Sequence, residues 1–176
     1  MKSGKLVALA TTAVLALTGC AGGSPQVAAY VGDAQISQAQ VDDVSQVLAD
    51  TSTDPEDTAG GFAPTIVQLM IQNEILRVAA ETKKLTIPET DRDAAIAGDA
   101  TLSALSKNPL TADFVKSYVT TQLLLNTEAG ATAAQEVATG TSIRVNPRFG
   151  VWDDTQLGLI QGSSGSLSEL APLKQE

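Results

Sequence analysis

The residue types that this chain lacks are its strongest constraint on folding. It contains one cysteine and no histidine, so no intramolecular disulfide can form and no histidine-based zinc site can be built. Aromatic residues make up only 3% of the sequence. The fold must therefore be held by the packing of aliphatic side chains, and the fold class that the sequence predicts is mainly α.

The single cysteine closes the stretch Leu17-Thr18-Gly19-Cys20, which follows an uncharged apolar run and two lysines near the start of the chain. This stretch resembles the lipobox of bacterial lipoproteins. The resemblance implies a signal peptide over 1–19, lipidation of Cys20, a tether over 20–26, and a location at the extracytoplasmic face of the cell membrane. A plain secretory signal with an incidental cysteine is the alternative.

The charge balance excludes several partners and chemistries. Loss of Lys2 and Lys5 with the signal peptide would shift the net charge from −9 to −11, which argues against binding to nucleic acid or to anionic lipid. Without histidine, only adjacent acids such as Asp42 with Asp43 remain as catalytic candidates, and such neighbours do not share a helix face. The pair Asp91 and Asp93 is equally unsuited, so we expect no enzyme and no cofactor.

The first ordered elements carry clear local signals. Residues 27–31 are apolar and precede Gly32-Asp33, which is typical of a strand followed by a hairpin turn. Ser37 and Gln40 predict a capping box, with Ile36 placed to pack on Val41 as a hydrophobic staple, and helix to about residue 49. The acidic stretch 50–64 is interpreted as a surface loop, because its acids lack the spacing of a calcium loop.

Apolar periodicity predicts the remaining elements. The strongest helix spans 65–84 and carries enough apolar residues to be central, with Met70 favoured as a core residue over a binding residue. Further helices are predicted over 89–105 and 111–126, the latter with Thr111 as cap and Leu110 stapled to Val115. The pattern then predicts more helix over 129–139, a strand over 143–145 and a disordered tail over 154–176.

Three stretches in order, 27–41, 75–88 and 146–153, resemble the N-terminal chaperone domain of SurA and PrsA, related to trigger factor's peptide-binding domain. The first runs strand, turn and capped helix, the second ends a long helix at Leu85 to Pro88, and the third closes the domain. The resemblance implies a bundle-like helical domain over 27–153 whose first and last strands pair. The chain has no room for the parvulin isomerase module of the full-length foldases.

The resemblance implies a lipid-anchored holdase that binds unfolded or partly folded secreted proteins without prolyl isomerase activity. The alternative is an envelope scaffold that binds one specific protein through Phe149 and Trp152, although a lone tryptophan is more often a lid on the core. A concave apolar patch with a polar rim would favour the holdase. A flat aromatic patch would favour the scaffold.

Overall fold

The computed structural model describes residues 26–160, which are mainly helical with two small antiparallel sheets. Cys20, the predicted signal peptide, the predicted tether up to residue 25 and the segment 161–176 lie outside the described residues. The elements follow one another as β1 (Val27–Val31), β2 (Ala34–Ser37), α1 (Gln38–Thr51), α2 (Ala59–Lys83), α3 (Glu89–Gly98), α4 (Ala100–Leu105), α5 (Ala112–Leu125), α6 (Glu128–Gly140), β3 (Ile143–Val145), β4 (Val151–Asp153) and β5 (Gly158–Ile160).

The first sheet joins the two ends of the helical body. Its strand order is β2-β1-β3, with β1 antiparallel to both neighbours, so the pairing of 27–31 with 143–145 is confirmed. The sheet has three strands rather than two because Gly32, at a φ of 58°, turns the chain back into β2. Glycine adopts this left-handed conformation without the steric penalty of a Cβ.

The predicted capping box at the start of α1 is confirmed. The backbone N–H of Gln40 donates to Ser37 Oγ at 3.2 Å, and the backbone N–H of Ser37 donates to Gln40 Oε1 at 3.0 Å. These bonds satisfy two donors that would otherwise be orphaned at the helix start. Ile36 and Val41, the predicted staple pair, are both buried in the same core.

Helix α2 is the central element, as the periodicity predicts, and packs against α1, α5, α6 and the first sheet. It begins six residues earlier than predicted, so the interpretation of 59–64 as loop is wrong. Thr58 caps the helix by accepting from the N–H of Gly61 at 3.1 Å. Phe62 packs against the core and Ala63 is buried, and this burial offsets the poor helix propensity of the glycines and of Pro64.

The helix predicted over 89–105 is two helices. Asp99 separates α3 from α4 and caps the second, since its carboxylate accepts from the N–H of Leu102 at 2.8 Å. Aspartate is a strong N-cap residue because its side chain satisfies a free N–H of the first turn. Ile96 and Leu105 still face the same side and are buried together.

Helix α5 forms where expected, but its first turn differs from the prediction. Thr111 is fully buried and its hydroxyl donates backwards to the carbonyl of Leu105 at 2.6 Å, so it makes no side-chain cap. Val115 is buried whereas Leu110 is 55% exposed, so the predicted staple does not form. The hydrogen bond from Thr111 to Leu105 holds the turn between α4 and α5. Leu110 lies on the outer side of this turn.

A second, two-stranded sheet pairs β4 with β5. It lies against α2, where the backbone N–H of Leu159 donates to Gln68 Oε1 at 2.9 Å and Gln72 donates to the carbonyl of Leu157 at 2.6 Å. The ordered chain thus continues past Asp153, and the prediction of disorder is wrong for 154–160. The two glutamines are distant from this hairpin in the sequence, so a local sequence pattern does not reveal these hydrogen bonds.

Buried apolar residues form two clusters. The main core joins α2 to the first sheet, α1 and α6, and includes Val41, Ile71 and Ile75 with no exposed surface. The smaller cluster, which we call the α3–α5 cluster, consists of Val47, Ile96, Leu105, Val115 and Val119. Leu48 and Phe114 pack against both clusters and connect them.

Candidate apolar groove

A groove opens where the two clusters meet. It is lined by β2, α1, α2 and α5, with Arg92 contributed by α3, and its volume is about 920 Å³. That volume lies at the upper end of the range of about 300–1,000 Å³ that is usual for small-ligand pockets. The groove therefore has room for several side chains of a bound polypeptide.

Aliphatic and aromatic side chains form the floor and walls of the groove. They belong to every element that lines it, and include Ile36, Val44, Met70, Leu76, Leu85, Leu110, Phe114 and Leu124. Leu110 is one of the few large apolar residues that the described part of the chain leaves exposed. A concave apolar surface with an exposed leucine can bind apolar side chains through the hydrophobic effect.

The end of α2 shapes one side of the groove. Lys84 adopts a left-handed conformation at φ 58°, and its N–H donates to the carbonyl of Ala80. The N–H of Leu85 also donates to this carbonyl, at 3.0 Å, in a typical helix C-terminal turn. This turn directs Leu85 onto the core and leaves the lysine at the edge of the groove.

Charged residues surround the apolar floor. Arg77 forms ion pairs with Glu74 at 2.5 Å and Glu81 at 2.6 Å, and its hydrogen bonds to Glu74 and then Glu81 raise the pKa of its guanidinium. Asp43 stands on the α1 side, while Lys116 stands on the α5 side. The rim is polar and holds charges of both signs, so the groove differs from a purely apolar patch.

One polar atom in the groove wall is buried without a partner within residues 26–160. This atom is Oδ1 of Asn73 on α2. A buried acceptor that lacks a donor costs free energy. The atom has almost no accessible surface, so it belongs to the wall behind the groove and is not a contact point for a bound molecule.

Met70 lies between the main core and the groove. Its side chain is partly buried, packs against the main core and also lines the groove. Methionine is unbranched and polarisable, and it adapts to ligands of different shape. A residue in this position can support the fold and contact a bound segment at the same time.

The aromatic residues considered for docking are not at the surface together. Phe149 is 6% exposed and belongs to the main core, and Trp152 is half-buried and packs against that core. The interpretation of Trp152 as a lid agrees with this position. A scaffold function would have to use another surface, since Phe149 is not accessible to a partner.

The acidic residues do not assemble into a recognisable centre. Across residues 26–160, no three Asp or Glu side chains lie close enough together to hold a metal ion. Asp42 accepts a hydrogen bond from Gln38, and Asp93 contacts Arg92 at 3.2 Å. These contacts are ordinary surface interactions of helices.

Sequence reasoning did not identify most of the groove. Ile36, Leu85 and the pair Leu110 and Phe114 come from three separate segments, which meet only in the folded chain. Leu110 is the one residue with a usable local signal, because it is a large apolar residue in the turn Asn108-Pro109.

Comparisons with known proteins add no relative. No family model matches the chain, and no curated protein or solved structure matches it significantly. None of the helices between residues 26 and 160 combines the length and the hydropathy that crossing a membrane requires. The function must be argued from the groove itself.

Proposed function

We propose that this protein is a lipid-anchored, extracytoplasmic holdase that binds exposed apolar segments of unfolded or partly folded secreted proteins in the groove. The proposal rests on one observation, an apolar groove with a volume of about 920 Å³ and a polar rim. Binding there would hide apolar segments that otherwise associate with one another. The proposal requires no catalytic residue and no cofactor.

The residues of the groove suit weak, broad recognition. Met70, Leu110 and Phe114 provide apolar contact without a fixed set of directional partners. Hydrogen-bonding positions are few, so the groove selects for apolar character more than for a particular sequence. This breadth is what a holdase needs, because its clients share exposed apolar surface and little else.

The order of elements supports a SurA-type chaperone domain. A strand and capped helix come first, a long central helix follows, and β3 returns to pair with β1. The resemblance implies this arrangement for residues 27–153. Lipidation of Cys20 at the outer face of the cell membrane, and the absence of isomerase activity, are parts of the same proposal.

The test is light scattering from a thermally unfolding client protein. The protein is residues 20–176 with Cys20→Ser, which keeps every described element, added at about the client concentration. We expect suppression of aggregation beyond that of an equally acidic inert protein. No suppression across several unrelated clients would contradict the proposal.

A matched pair of variants assigns the activity to the groove. Leu110→Asp places a charge at an exposed groove residue, and Val151→Asp makes the same change at an exposed residue of β4 outside the groove. We expect Leu110→Asp to remove at least about half of the suppression, because a charge opposes apolar binding. Val151→Asp should leave the suppression unchanged, and equal losses in both variants would argue against the groove.

A further inference from the structure

The outer edge of β2 presents free backbone groups beside the groove. On β1, Ala28 and Gly32 bond towards β3, since Asn146 N donates to Ala28 O at 2.8 Å and Gly32 N to Ser142 O at 2.9 Å. Backbone groups alternate in direction along a strand, so Ala29 and Val31 bond towards β2. Their register partners are Ile36 and Ala34.

This alternation decides where the backbone of Gln35 points. Because its two neighbours on β2 bond inwards to β1, the N–H and C=O of Gln35 point away from the sheet. Gln35 is exposed, and no turn, loop or cap hydrogen bond within residues 26–160 engages its backbone. Ala34, Gln35 and Ile36 all line the groove, so this free edge opens into it.

The segment of the chain that carries β2 has a pronounced charge bias. Residues 26–76 contain eight carboxylates and no lysine or arginine. Asp33, in the turn before β2, and Asp43, in the groove wall, stand on either side of the free edge along the chain. Positive side chains of a partner that lie next to Asp33 and Asp43 gain attraction there. The groove cations Lys84, Arg92 and Lys116, in contrast, come from the end of α2, from α3 and from α5.

We infer that the β2 edge binds an extended apolar segment flanked by lysine or arginine, which adds to the sheet as a fourth strand. This inference rests on the proposed function and names the conformation and charge of the bound segment. The backbone of Gln35 donates one hydrogen bond to the segment and accepts another. Alternate apolar side chains of the segment enter the groove.

A helical segment fits these observations less well. A helix uses its own N–H and C=O groups internally, so it would leave the backbone of Gln35 without partners. An extended segment exposes a donor and an acceptor at every second residue on one edge. The free strand edge therefore selects the extended conformation.

The test measures the affinity of a dye-labelled peptide of alternating valine and threonine with lysine at both ends. Fluorescence anisotropy is recorded with residues 20–176 carrying Cys20→Ser. We expect Gln35→Pro, which removes the outward N–H, to weaken binding about tenfold, because it deletes one hydrogen bond and blocks approach to the edge. Gln35→Ala keeps the N–H and should change the affinity by less than about twofold.

A second arm leaves the protein unchanged. The same peptide methylated at every backbone nitrogen between the lysines cannot donate to the edge in either direction, and we expect it to bind about tenfold more weakly. Glutamates in place of the lysines should also weaken binding, and the difference should shrink at high salt. This arm remains informative if Gln35→Pro disturbs folding.

The outcomes separate this inference from the proposed function. Equal affinities for the plain and N-methylated peptides, or tighter binding of an amphipathic helical peptide, would overturn strand addition. If Leu110→Asp still weakened peptide binding in that case, the groove would stand as a site for apolar segments. No peptide binding together with no protection of clients would overturn both.

Discussion

The two apolar clusters of this domain differ in depth and in what they support. The main core contains residues with no exposed surface, such as Ile71 and Ile75, and joins a sheet to four helices, α1, α2, α5 and α6. In the α3–α5 cluster, Ile96 and Val47 remain 8% exposed and only helices contribute. The smaller cluster buries less surface, so we expect it to be the less stable of the two.

This difference matters for the groove because main-core residues line it together with Phe114, which also packs against the α3–α5 cluster. Val44 and Leu76 come from the main core, whereas Phe114 connects the main core to the α3–α5 cluster. Weakening the main core should unfold the whole domain. Weakening the α3–α5 cluster should loosen the α5 wall and change the groove before the domain unfolds.

The largest expected effect is that of Ile71→Ala in the main core. Removal of a fully buried side chain leaves a cavity, and we expect the free energy of unfolding to fall by about 4 kcal/mol. Urea denaturation followed by circular dichroism measures the change. Val151→Ala on the surface is the control, and a loss below about 1 kcal/mol for Ile71→Ala would contradict the assignment of the main core.

Ile96→Ala tests the α3–α5 cluster directly. We expect a smaller loss of about 2 kcal/mol, because Ile96 lies at the edge of a thinner cluster. Hydrogen exchange should show faster exchange in α3, α4 and the start of α5, with α2 and β1 still protected. Uniformly faster exchange in all elements would show that the two clusters unfold as one.

Thr111→Val tests the buried hydrogen bond that holds the α4–α5 turn. Valine has a similar shape but cannot donate to the carbonyl of Leu105, so we expect a loss of about 1 kcal/mol. Thr120→Val on the same helix removes an exposed hydrogen bond and should cost less than about 0.5 kcal/mol. If both variants lowered the thermal unfolding temperature equally, the buried hydrogen bond of Thr111 would stabilise the fold no more than the exposed one of Thr120.

The smallest effect concerns pH and the β4–β5 hairpin. Hydrogen bonds from the Thr155 hydroxyl, and then from backbone N–H groups, lower the pKa of Asp153 below its usual 3.8. Because the folded pKa is depressed, this stabilisation is present above the unfolded pKa and is lost as the pH falls through the folded pKa.

The fluorescence of Trp152, the only tryptophan and the neighbour of Asp153 in β4, reports on this hairpin. Acid titration below about pH 4 should change its emission as Asp153 becomes protonated. Asp153→Asn removes the titrating group, so the change should disappear in that variant. An unchanged acid transition in Asp153→Asn would assign it to other carboxylates.

Local signals in the sequence were sufficient for much of the framework. Ser37 and Gln40 meet within a single helical turn, and Gly32 reverses the chain between adjacent strands, so their geometry depends on near neighbours. The periodicity of 65–84 likewise predicts a central helix. The pairing of β1 with β3, implied by the resemblance, is also confirmed.

Contacts between segments that are distant in the sequence determined the features that local sequence patterns did not predict. Phe62 and Ala63 pack on the core, and this packing extends α2 to residues before Pro64. Hydrogen bonds with Gln68 and Gln72 hold residues 157–160 against α2. Each of these outcomes depends on a partner far along the chain.

The sequence by itself therefore determined an aliphatic, mainly helical domain with a capped first helix and a long central helix. Tertiary structure alone decided the groove, because Ile36, Leu85 and Phe114 become neighbours only when β2, the end of α2 and α5 pack together. It also decided the outward position of Leu110, since the hydroxyl of Thr111 turns back to Leu105. Caps and periodicity act within a few residues, whereas a groove arises from the spaces between elements that packing brings together.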